Sequence, residues 1–341
     1  MVIKEKKIKK ALIIGVTGQD GSYLAEFLLS KKYEVHGIKR KVSNFNSENI
    51  DHLLHKNNKF NVHYGDINDF GNLFSIIKRI KPNEIYNLAA QSHVKVSFEL
   101  PIYTAETNAI GSLKVLEIIK QLNPKIKYYQ AGTSEMFGNS NSKKQNELTS
   151  FDARSVYSAS KIFAHQVTKN YREAYNLFAS NGILFNHESP RRNETFVTKK
   201  IIKGLIDIKF GRKKILFLGN LYSKRDWGHA KDYVRAMWLI LQQKKPDDFV
   251  ISTGKQYTVK KFVEIVAKKL EFNIYWKNRG IKEVGIDKHT KKIIIKIDKK
   301  YFRPTEVDSL IGDYSKSKKI LKWKPKYNLN SLIDDMIKNE I

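Results

Sequence analysis

Residues 11–21 read ALIIGVTGQDG, an apolar run that passes directly into a glycine-rich turn. The helical pattern YLAEFLL follows at residues 23–29. Glycines placed three residues apart between a strand and a helix let the backbone turn tightly, approach a pyrophosphate and direct helix N–H groups at it. The stretch therefore predicts a dinucleotide-binding strand–turn–helix unit. Its predicted cofactor contacts are Gly15, Thr17, Gly18, Gln19, Asp20 and Gly21.

Short β-rich runs alternate with helical patterns along the first half of the chain. Repeated strand–helix–strand units predict an α/β, Rossmann-type doubly wound parallel sheet covered by helices on both faces. Ligands bind beyond the carboxyl ends of the strands in such sheets. Gly15, Asp66, Ala89 and Thr133 each follow a predicted strand, so these residues should line one crevice. The predicted strands cover residues 11–14, 34–38, 60–64, 84–88, 127–130 and 178–185, and predicted helices include 72–80 and 109–121.

The alternation weakens beyond about residue 186. Residues 186–192, NHESPRR, read as a polar loop, and residues 277–300 are rich in lysine and poorly patterned. We expect residues 1–185 to form the cofactor-binding Rossmann domain. Residues 186–341 should form mainly a smaller, mixed α/β substrate-binding portion, with some segments returning to the Rossmann domain.

The composition carries one outlier, a formal net charge of +29 from 63 basic and 34 acidic residues. Such a charge can indicate a nucleic-acid or membrane-surface partner. The 52 lysines, however, are scattered over most of the chain, and only 11 residues are arginine, the residue type that reads bases and clamps phosphates. A solvated lysine-rich surface is therefore favoured, with neither a nucleic-acid nor a membrane partner.

The chain contains no cysteine, which excludes disulfides, thiolate metal sites and cysteine nucleophiles. We expect no metal site. No secretory or membrane-spanning segment is recognisable, so the cytoplasm is the expected location.

The end of the second predicted strand indicates which dinucleotide is bound. Residues 37–41 read GIKRK, three cations and no acid. A 2′-phosphate needs positive charge, and an acid there would repel it, so NADP is favoured over NAD, with Arg40 as its partner. The alternative is a solvated basic turn.

Asp66 and Ile67 suit the adenine edge of the cofactor, and small residues after the fourth predicted strand allow the backbone to approach the cofactor closely. The further predicted cofactor contacts are Leu88, Ala89, Ala90, Gln91, Ser92 and Tyr103.

Tyr157 and Lys161 form a Tyr-x-x-x-Lys pair. A free tyrosine, with a pKa of about 10, is a poor base near neutrality, whereas a lysine one helical turn away lies on the same face and favours the phenolate. The pair predicts hydroxyl deprotonation coupled to hydride transfer. Thr133 would bond the same substrate hydroxyl. Glu135 adds a carboxylate, which is needed only where a proton is abstracted next to a ketone.

With these motifs in place, the chain resembles the GDP-mannose 4,6-dehydratase family of extended short-chain dehydrogenase/reductases over nearly its whole length. The matching blocks are residues 15–29, 36–40, 186–192, 225–234 and 301–307. The resemblance implies a redox-neutral cycle in which C4 is oxidised, Glu135 removes the C5 proton, water leaves C6 and the hydride returns to C6. The product would be GDP-4-dehydro-6-deoxymannose. The reaction would be the first step toward GDP-deoxyhexoses such as GDP-fucose or GDP-rhamnose.

The same resemblance assigns the GDP-sugar site. It implies that Asn186, His187, Arg192, Lys200, Arg225, Arg303 and Glu306 line this site, with His187 and Arg192 also contacting the cofactor. Ser92, Glu188, Val197 and Leu218 complete the expected substrate contacts. Two residues depart from the family pattern, Asn193 in place of glycine and Ala153 in place of proline. Ser134 stands where relatives that act on dTDP-glucose carry aspartate, which leaves the proton donor to the leaving hydroxyl open, with Glu135 as a candidate.

Alternative functions differ in which of these residues they need. A nucleotide-sugar epimerase or reductase of the same fold would keep Tyr157 and Lys161 and have no use for Glu135. An NADP-binding sensor that contacts nucleic acid would need no base at all. A GDP-linked manno-heptose would satisfy the same motifs as GDP-mannose. The resemblance also implies a homotetramer or homodimer, with the loop at residues 39–49 reaching a neighbour's cofactor site.

Overall fold

The computed structural model describes residues 8–43, 47–54, 58–140 and 142–341. The strands are β1 (Lys10–Ile14), β2 (Glu34–Lys39), β3 (Phe60–Tyr64), β4 (Glu84–Asn87), β5 (Lys127–Ala131), β6 (Ala179–Leu184), β7 (His187–Glu188), β8 (Leu216–Leu218), β9 (Lys224–Arg225), β10 (Gly228–His229), β11 (Phe249–Ile251), β12 (Tyr257–Thr258), β13 (Ile274–Lys277), β14 (Val284–Asp287) and β15 (Ile293–Ile297).

The helices are α1 (Gln19–Ser30), α2 (Asp51–Leu54), α3 (Phe70–Ile80), α4 (Val96–Glu99), α5 (Pro101–Ala105), α6 (Gly111–Leu122), α7 (Val156–Ala174), α8 (Val197–Lys209), α9 (Ala230–Leu241), α10 (Val259–Lys269), α11 (Ser315–Ile320) and α12 (Leu329–Lys338). One π-helical turn, Glu106–Ile110, leads into α6, and short 3₁₀ turns cover Ser134–Phe137, Gly280–Lys282 and Lys299–Tyr301.

Seven parallel strands form the main sheet, in the order β11-β6-β5-β4-β1-β2-β3. The order runs outward from β1 in both directions, so the sheet is doubly wound, as the sequence predicts. Each of the six predicted strands coincides with one of β1–β6. The seventh strand, β11, comes from the second half of the chain.

Both faces of the sheet are covered, because the strands are apolar on both sides. Helices α1 and α9 pack on one face around buried side chains such as Leu28, Tyr233 and Trp323. Helices α3, α6 and α7 cover the other face, where Ile77 and Leu116 are buried. The edge at which the strands end is left open to ligands.

The glycine-rich turn after β1 needs glycine at two positions. Gly15 has a φ of +91°, and a Cβ there would lie 2.9 Å from the backbone nitrogen of Ala89. A Cβ on Gly21 would lie 2.3 Å from the carbonyl oxygen of Gly15, which is closer than any real contact of that kind. The first glycine makes the turn, and the third lets α1 begin directly beneath it.

A second lobe is built on the mixed sheet β13-β14-β15-β8 and on helices α8, α10 and α12. Its core includes Leu205, Phe262, Ile295 and Ile333. The stretch at residues 277–300, expected to be poorly patterned, contains β14 and β15. The strand at residues 293–297 did not show in the sequence because lysines flank it, although its residues Ile294 and Ile295 are buried.

The second half of the chain returns to the first sheet, through α9 and β11. The expected division at residues 185 and 186 remains a prediction, and its residues 1–7, 44–46, 55–57 and 141 lie outside the described ones. Among the residues that the structure describes, no helix is long and apolar enough to cross a membrane. The same residues contain no group of three or more side chains arranged to hold a metal ion.

Candidate active site

A cleft of about 1010 Å³ opens between the carboxyl ends of the main sheet and the second lobe. The four residues expected in one crevice, Gly15, Asp66, Ala89 and Thr133, all line it. All but one of the remaining predicted site residues line it too. These are Thr17, Gly18, Gln19, Asp20, Gly21, Arg40, Ile67, Leu88, Ala90, Ser92, Tyr103, Glu135, Tyr157, Lys161, Asn186, His187, Glu188, Arg192, Val197, Lys200, Leu218, Arg225, Arg303 and Glu306.

Gln91 is the exception, and its predicted contact with the cofactor stays a prediction. Its side-chain amide donates to the carbonyl of His93 at 3.2 Å and accepts from the N–H of His93 at 2.7 Å. Its own N–H donates to Asn108 Oδ1 at 2.9 Å. Gln91 therefore holds the loop after β4 in shape, and its neighbours Ala90 and Ser92 reach the cleft.

Tyr157 is placed in the cleft by the first turn of α7. Ser155 caps this helix, accepting from the N–H of Ser158, while the Ser158 hydroxyl accepts in return from the N–H of Ser155. Because the helix begins there, Tyr157 lies in its first turn and lines the cleft together with Thr133. Thr133 Oγ1 in turn accepts from the N–H of Glu135 at 3.2 Å. Three of the predicted catalytic groups, Thr133, Glu135 and Tyr157, thus line the same cleft.

Lys161, one turn further along α7, is buried and donates from Nζ to the carbonyl of Ala131 at 2.9 Å. Burial lowers the pKa of Lys161 to about 8. Burial raises the pKa of Tyr157 to about 12, with the charge of Glu135 acting in the same direction and the bond from Thr133 against it. The pair shares one helix face as predicted, and Lys161 Nζ bonds β5 in this structure. Its expected effect on the phenolate of Tyr157 stays a prediction.

Glu135 lies in the 3₁₀ turn after β5 and is almost completely buried. Arg303 Nη1 lies 3.4 Å from Glu135 Oε1, and Arg225 Nε lies 3.9 Å from the same atom. Arg225 Nη2 also pairs with Glu306 at 3.3 Å. The two guanidiniums of the predicted substrate site therefore border the predicted base directly.

His187, on the short strand β7, connects that strand to the dinucleotide turn. Its Nε2 lies 2.7 Å from Asp20 Oδ2, and its Nδ1 lies 2.8 Å from the carbonyl oxygen of Phe185. Since both partners accept, both ring nitrogens carry hydrogen and the ring is an imidazolium. Burial favours the neutral ring, but the charge of Asp20 outweighs it and the pKa of His187 is raised. Burial likewise opposes ionisation of Asp20, yet His187 keeps the pKa of that carboxyl lowered.

The remaining predicted substrate residues lie on and around α8. Glu188 is buried, accepts from the hydroxyl of Thr198 at 2.6 Å and pairs with Arg192 Nε at 3.0 Å. Lys200 Nζ lies 3.1 Å from the centre of the Tyr301 ring. Burial lowers the pKa of Lys200.

The basic residues after β2 face the other end of the cleft. Arg40 Nη1 donates to the hydroxyl of Tyr103 at 2.5 Å. This bond joins two predicted cofactor contacts that are 63 positions apart in the chain. Asp66 accepts from the N–H of Asn68 at 2.9 Å and so shapes the turn after β3.

Sequence reasoning missed several cleft residues, among them His93, Phe196 and Tyr301. His93 directly follows the predicted run at residues 88–92, and Tyr301 opens the matching block at residues 301–307, so extending both runs would have included them. Phe196 had no comparable indication, because an apolar residue before a helix usually enters a core.

The parallel doubly wound sheet, the glycine turn and the Tyr157–Lys161 helix define this chain as an extended short-chain dehydrogenase/reductase. Solved structures share the fold. A UDP-glucose 4-epimerase from Thermotoga maritima matches with a TM-score of 0.81 at 22% identity, covering 97% of this chain and 98% of its own. A dTDP-glucose 4,6-dehydratase from Bacillus anthracis, in complex with NAD, matches with a TM-score of 0.80 at 21% identity, covering 97% and 96%.

The chain belongs to the GDP-mannose 4,6-dehydratase family, whose family model matches residues 12–336. A GDP-mannose 4,6-dehydratase from Drosophila melanogaster is 51% identical over 344 residues, which cover 99% of this chain and 87% of the relative. The enzyme of that name from Vibrio cholerae is 50% identical over 349 residues, covering 98% of this chain and 94% of the relative. The resemblance found from the motifs is therefore confirmed.

Proposed function

We propose that this protein converts GDP-mannose into GDP-4-dehydro-6-deoxymannose and water, with NADP recycled. The observation that carries the proposal is the position of Glu135. It is a buried carboxylate whose backbone N–H donates to Thr133, a threonine that lines the cleft together with Tyr157. A hydroxyl held by Tyr157 and Thr133 would thus bring the neighbouring ring carbon toward a base. Family membership supports the same substrate and reaction.

The dinucleotide turn fits a bound cofactor, because Gly18 caps α1 without a side chain and lines the cleft. Residues on the cofactor side are Thr17, Gln19 and Asp20, with Arg40 and Tyr103 at the far end. When bound, NADP would supply a hydride acceptor for C4 and a hydride donor for C6.

The chain's own residues then handle protons. Tyr157 takes the proton of the C4 hydroxyl while Thr133 holds the same oxygen. Once C4 is a ketone, the C5 proton is acidic enough for Glu135 to remove, and the C6 hydroxyl leaves as water. Arg225 and Arg303 can clamp the GDP diphosphate, and Glu306 can accept paired bonds from donors on ribose or guanine.

We also propose that NADP is preferred over NAD. Lys39 and Arg40 line the cleft where the second strand ends, and no acid stands at residues 37–41. The bond from Arg40 to Tyr103 leaves the remaining guanidinium donors free to face a 2′-phosphate.

A homodimer or homotetramer in the cytoplasm completes the proposal. Exposed apolar side chains such as Ile102 on α5 and Phe163 on α7 suit an interface between subunits. The loop at residues 39–49, proposed to reach a neighbour, includes residues 44–46, which lie outside the described ones. Sedimentation of the purified protein would give the number of subunits.

The activity is tested by incubating the purified protein with GDP-mannose and catalytic NADP, without added reductant. We expect the nucleotide sugar to lose the mass of one water molecule. Consumption of stoichiometric NADPH, or a product of unchanged mass, would instead indicate a reductase or an epimerase.

A further inference from the structure

Asp226 is an acid to which the proposed reaction assigns no step. It lies between β9 and β10, and its chain neighbours Arg225 and Trp227 both line the cleft. Asp226 itself is completely buried. A carboxylate is costly to bury unless donors satisfy its oxygens, so the partners of Asp226 show what it holds in place.

Four hydrogen bonds end on the Asp226 carboxylate. Oδ1 accepts from the N–H of Thr253 at 2.9 Å and from the hydroxyl of Thr253 at 2.6 Å. Oδ2 accepts from the N–H of Gly254 at 2.8 Å and from the N–H of Gly312 at 3.3 Å. Burial raises the pKa of Asp226 to about 6, and these bonds act in the opposite direction. The group is therefore an acceptor-only carboxylate at neutral pH.

The four bonds join three parts of the fold. Asp226 directly follows β9. Thr253 and Gly254 follow β11, the edge strand of the main sheet. Gly312 lies in the segment at residues 302–314, which connects the last 3₁₀ turn to α11. The carboxylate therefore ties this segment both to β9 and to the main sheet.

Two backbone bonds beside Asp226 join the same segment to β9. The N–H of Lys224 donates to the carbonyl of Asp308 at 2.8 Å, and the N–H of Leu310 donates to the carbonyl of Lys224 at 3.1 Å. Since Lys224 and Asp226 flank Arg225 in the chain, the segment is bound on both sides of this arginine.

Arg225 reaches two acids of the cleft from this position. Its Nη2 lies 3.3 Å from Glu306 Oε1, and its Nε lies 3.9 Å from Glu135 Oε1. Glu306 stands two residues before Asp308 in the bound segment. The distance between Arg225 and Glu306 therefore depends on how closely the segment is held to β9. Both residues belong to the site proposed for the GDP part of the substrate.

We infer that Asp226 is a positioning residue, whose buried carboxylate holds the segment at residues 302–314 against β9 and thereby sets the spacing of Arg225 and Glu306. The inference rests on the proposed function for its kinetic readout. Because Asp226 is covered by protein, it acts through these two residues and makes no contact with the substrate.

Asp226→Asn tests the inference with little change of shape. The substitution replaces one acceptor oxygen by an amide donor, which then faces N–H groups. We expect the KM for GDP-mannose to rise about tenfold, the size expected when a bond to a charged group is lost. The kcat should stay within about threefold of the wild type, because binding groups and not the reacting group are displaced. The dissociation constant for NADP should not change.

Asp232→Asn is the matched control. Asp232 is also buried, and its Oδ2 accepts from the N–H of Lys326 at 2.7 Å and from the N–H of Tyr327 at 2.9 Å. It holds a loop by the same kind of bond, but it belongs to α9, which packs on a face of the main sheet. Both substitutions should lower the melting temperature, and only Asp226→Asn should raise the KM.

A second pair of variants serves if Asp226→Asn does not fold. Thr253→Val removes the hydroxyl that donates to Asp226 Oδ1 and keeps the shape of the side chain, whereas Thr253→Ser keeps the hydroxyl. We expect Thr253→Val to raise the KM for GDP-mannose and Thr253→Ser to match the wild type. The same KM in both variants would overturn the inference.

Hydrogen exchange gives a readout that does not depend on turnover. In Asp226→Asn, amides of residues 306–312 should exchange faster than in the wild type, and in Asp232→Asn they should match it. An unchanged KM in Asp226→Asn, or an equal rise in Asp232→Asn, would overturn the inference. If the wild-type protein fails to dehydrate GDP-mannose, the proposed function fails, and the exchange comparison alone decides the role of Asp226.

Discussion

Glu135 is the residue at which a dehydratase and a reductase with the same tyrosine–lysine pair would differ. Its carboxylate faces Arg303 and Arg225 and is shielded from water. We predict that Glu135→Gln retains binding of GDP-mannose and lowers turnover by about 10²–10⁴-fold, the usual contribution of a positioned base. Calorimetric titration and steady-state assays measure the two quantities. Glu173→Gln, exposed at the far end of α7, is the control, and wild-type turnover in Glu135→Gln would remove the residue from the mechanism.

Arg40 is the residue from which we argue cofactor preference. Replacing it with alanine should weaken NADP more than NAD, because only the 2′-phosphate loses a partner. Tyr103→Phe removes the acceptor of the Arg40 bond. It should also lower the affinity for NADP relative to that for NAD, but by less than Arg40→Ala does. Fluorescence titration with each dinucleotide gives the two dissociation constants. Equal losses for both cofactors would show that Arg40 supports only the fold, and the exposed Arg279→Ala should change neither.

The sequence predicted which residues reach the cleft better than it predicted how they are bonded. From their residue types and their positions after strands, Thr133, Asp66 and Ala89 were correctly predicted to line the cleft. The bond from Lys161 to Ala131 could not be foreseen, because helix spacing places Lys161 beside Tyr157 and says nothing about a carbonyl on β5. The bonds of Gln91 could not be foreseen for a similar reason, since its side chain bonds the backbone of its own loop.

At the scale of elements, the Asp20–His187 pair joins α1 to β7 and makes their attachment sensitive to pH. The pKa of His187 lies above its ordinary 6.5, so its stabilising contribution is complete below pH 6.5 and is lost as pH rises through the raised value. The pKa of Asp20 lies below its ordinary 3.8, so its contribution is complete above pH 3.8 and is lost as pH falls through the lowered value. The pair is therefore strongest between these two limits.

We predict that His187→Gln lowers the free energy of unfolding by about 1–3 kcal/mol, the range for a hydrogen bond to a charged group, near pH 5.5. The difference from the wild type should shrink as the pH rises above 6.5. Urea unfolding of both proteins across this range measures it, with His289→Gln as the control. A difference that stays constant or grows with pH would contradict an imidazolium at position 187.

How well the helices and strands could be predicted depended on how clearly the hydrophobic periodicity showed in the sequence. Of the strands β1–β6, all but the edge strand β3 are mostly buried, and their β-rich runs could be recognised in the sequence. Strands β14 and β15 could not, because both are short and lie in a lysine-rich stretch, and Lys296 stands within β15 itself. The π-helical turn Glu106–Ile110 was also hidden, since its sequence reads as part of the helical pattern that continues into α6.

For the whole molecule, the proposed cycle requires one cleft to serve oxidation, elimination and reduction in turn. Substrate that carries deuterium at C4 should therefore yield product with that deuterium at C6, and C5 should acquire a solvent hydrogen. Mass spectrometry and proton NMR of the product locate both labels. Deuterium retained at C4, or released into a pool of added cofactor, would contradict the dehydratase proposal even with the fold correct.

Residues from the second half of the chain complete the hydrophobic core of the main sheet. The face of the main sheet that α1 covers is completed by Met237 and Ile240 of α9, by Phe249 of β11 and by Trp323. A fragment that stops at residue 185 lacks all four. We predict that this fragment is insoluble or unfolded by circular dichroism, whereas the full chain melts cooperatively. A soluble, cooperatively folding fragment would show that residues 1–185 fold without the rest of the chain.

The return of α9 and β11 to the sheet has a consequence for how such a protein can diversify. A recognition module that is attached at one junction can be exchanged by recombination, as a cassette. Here the chain enters and leaves the second lobe more than once, so no single crossover point separates the part that carries the dinucleotide from the part that selects the sugar. New specificity must then arise by replacing side chains in place, among residues such as Phe196 and Glu194 that line the cleft without supporting the sheet.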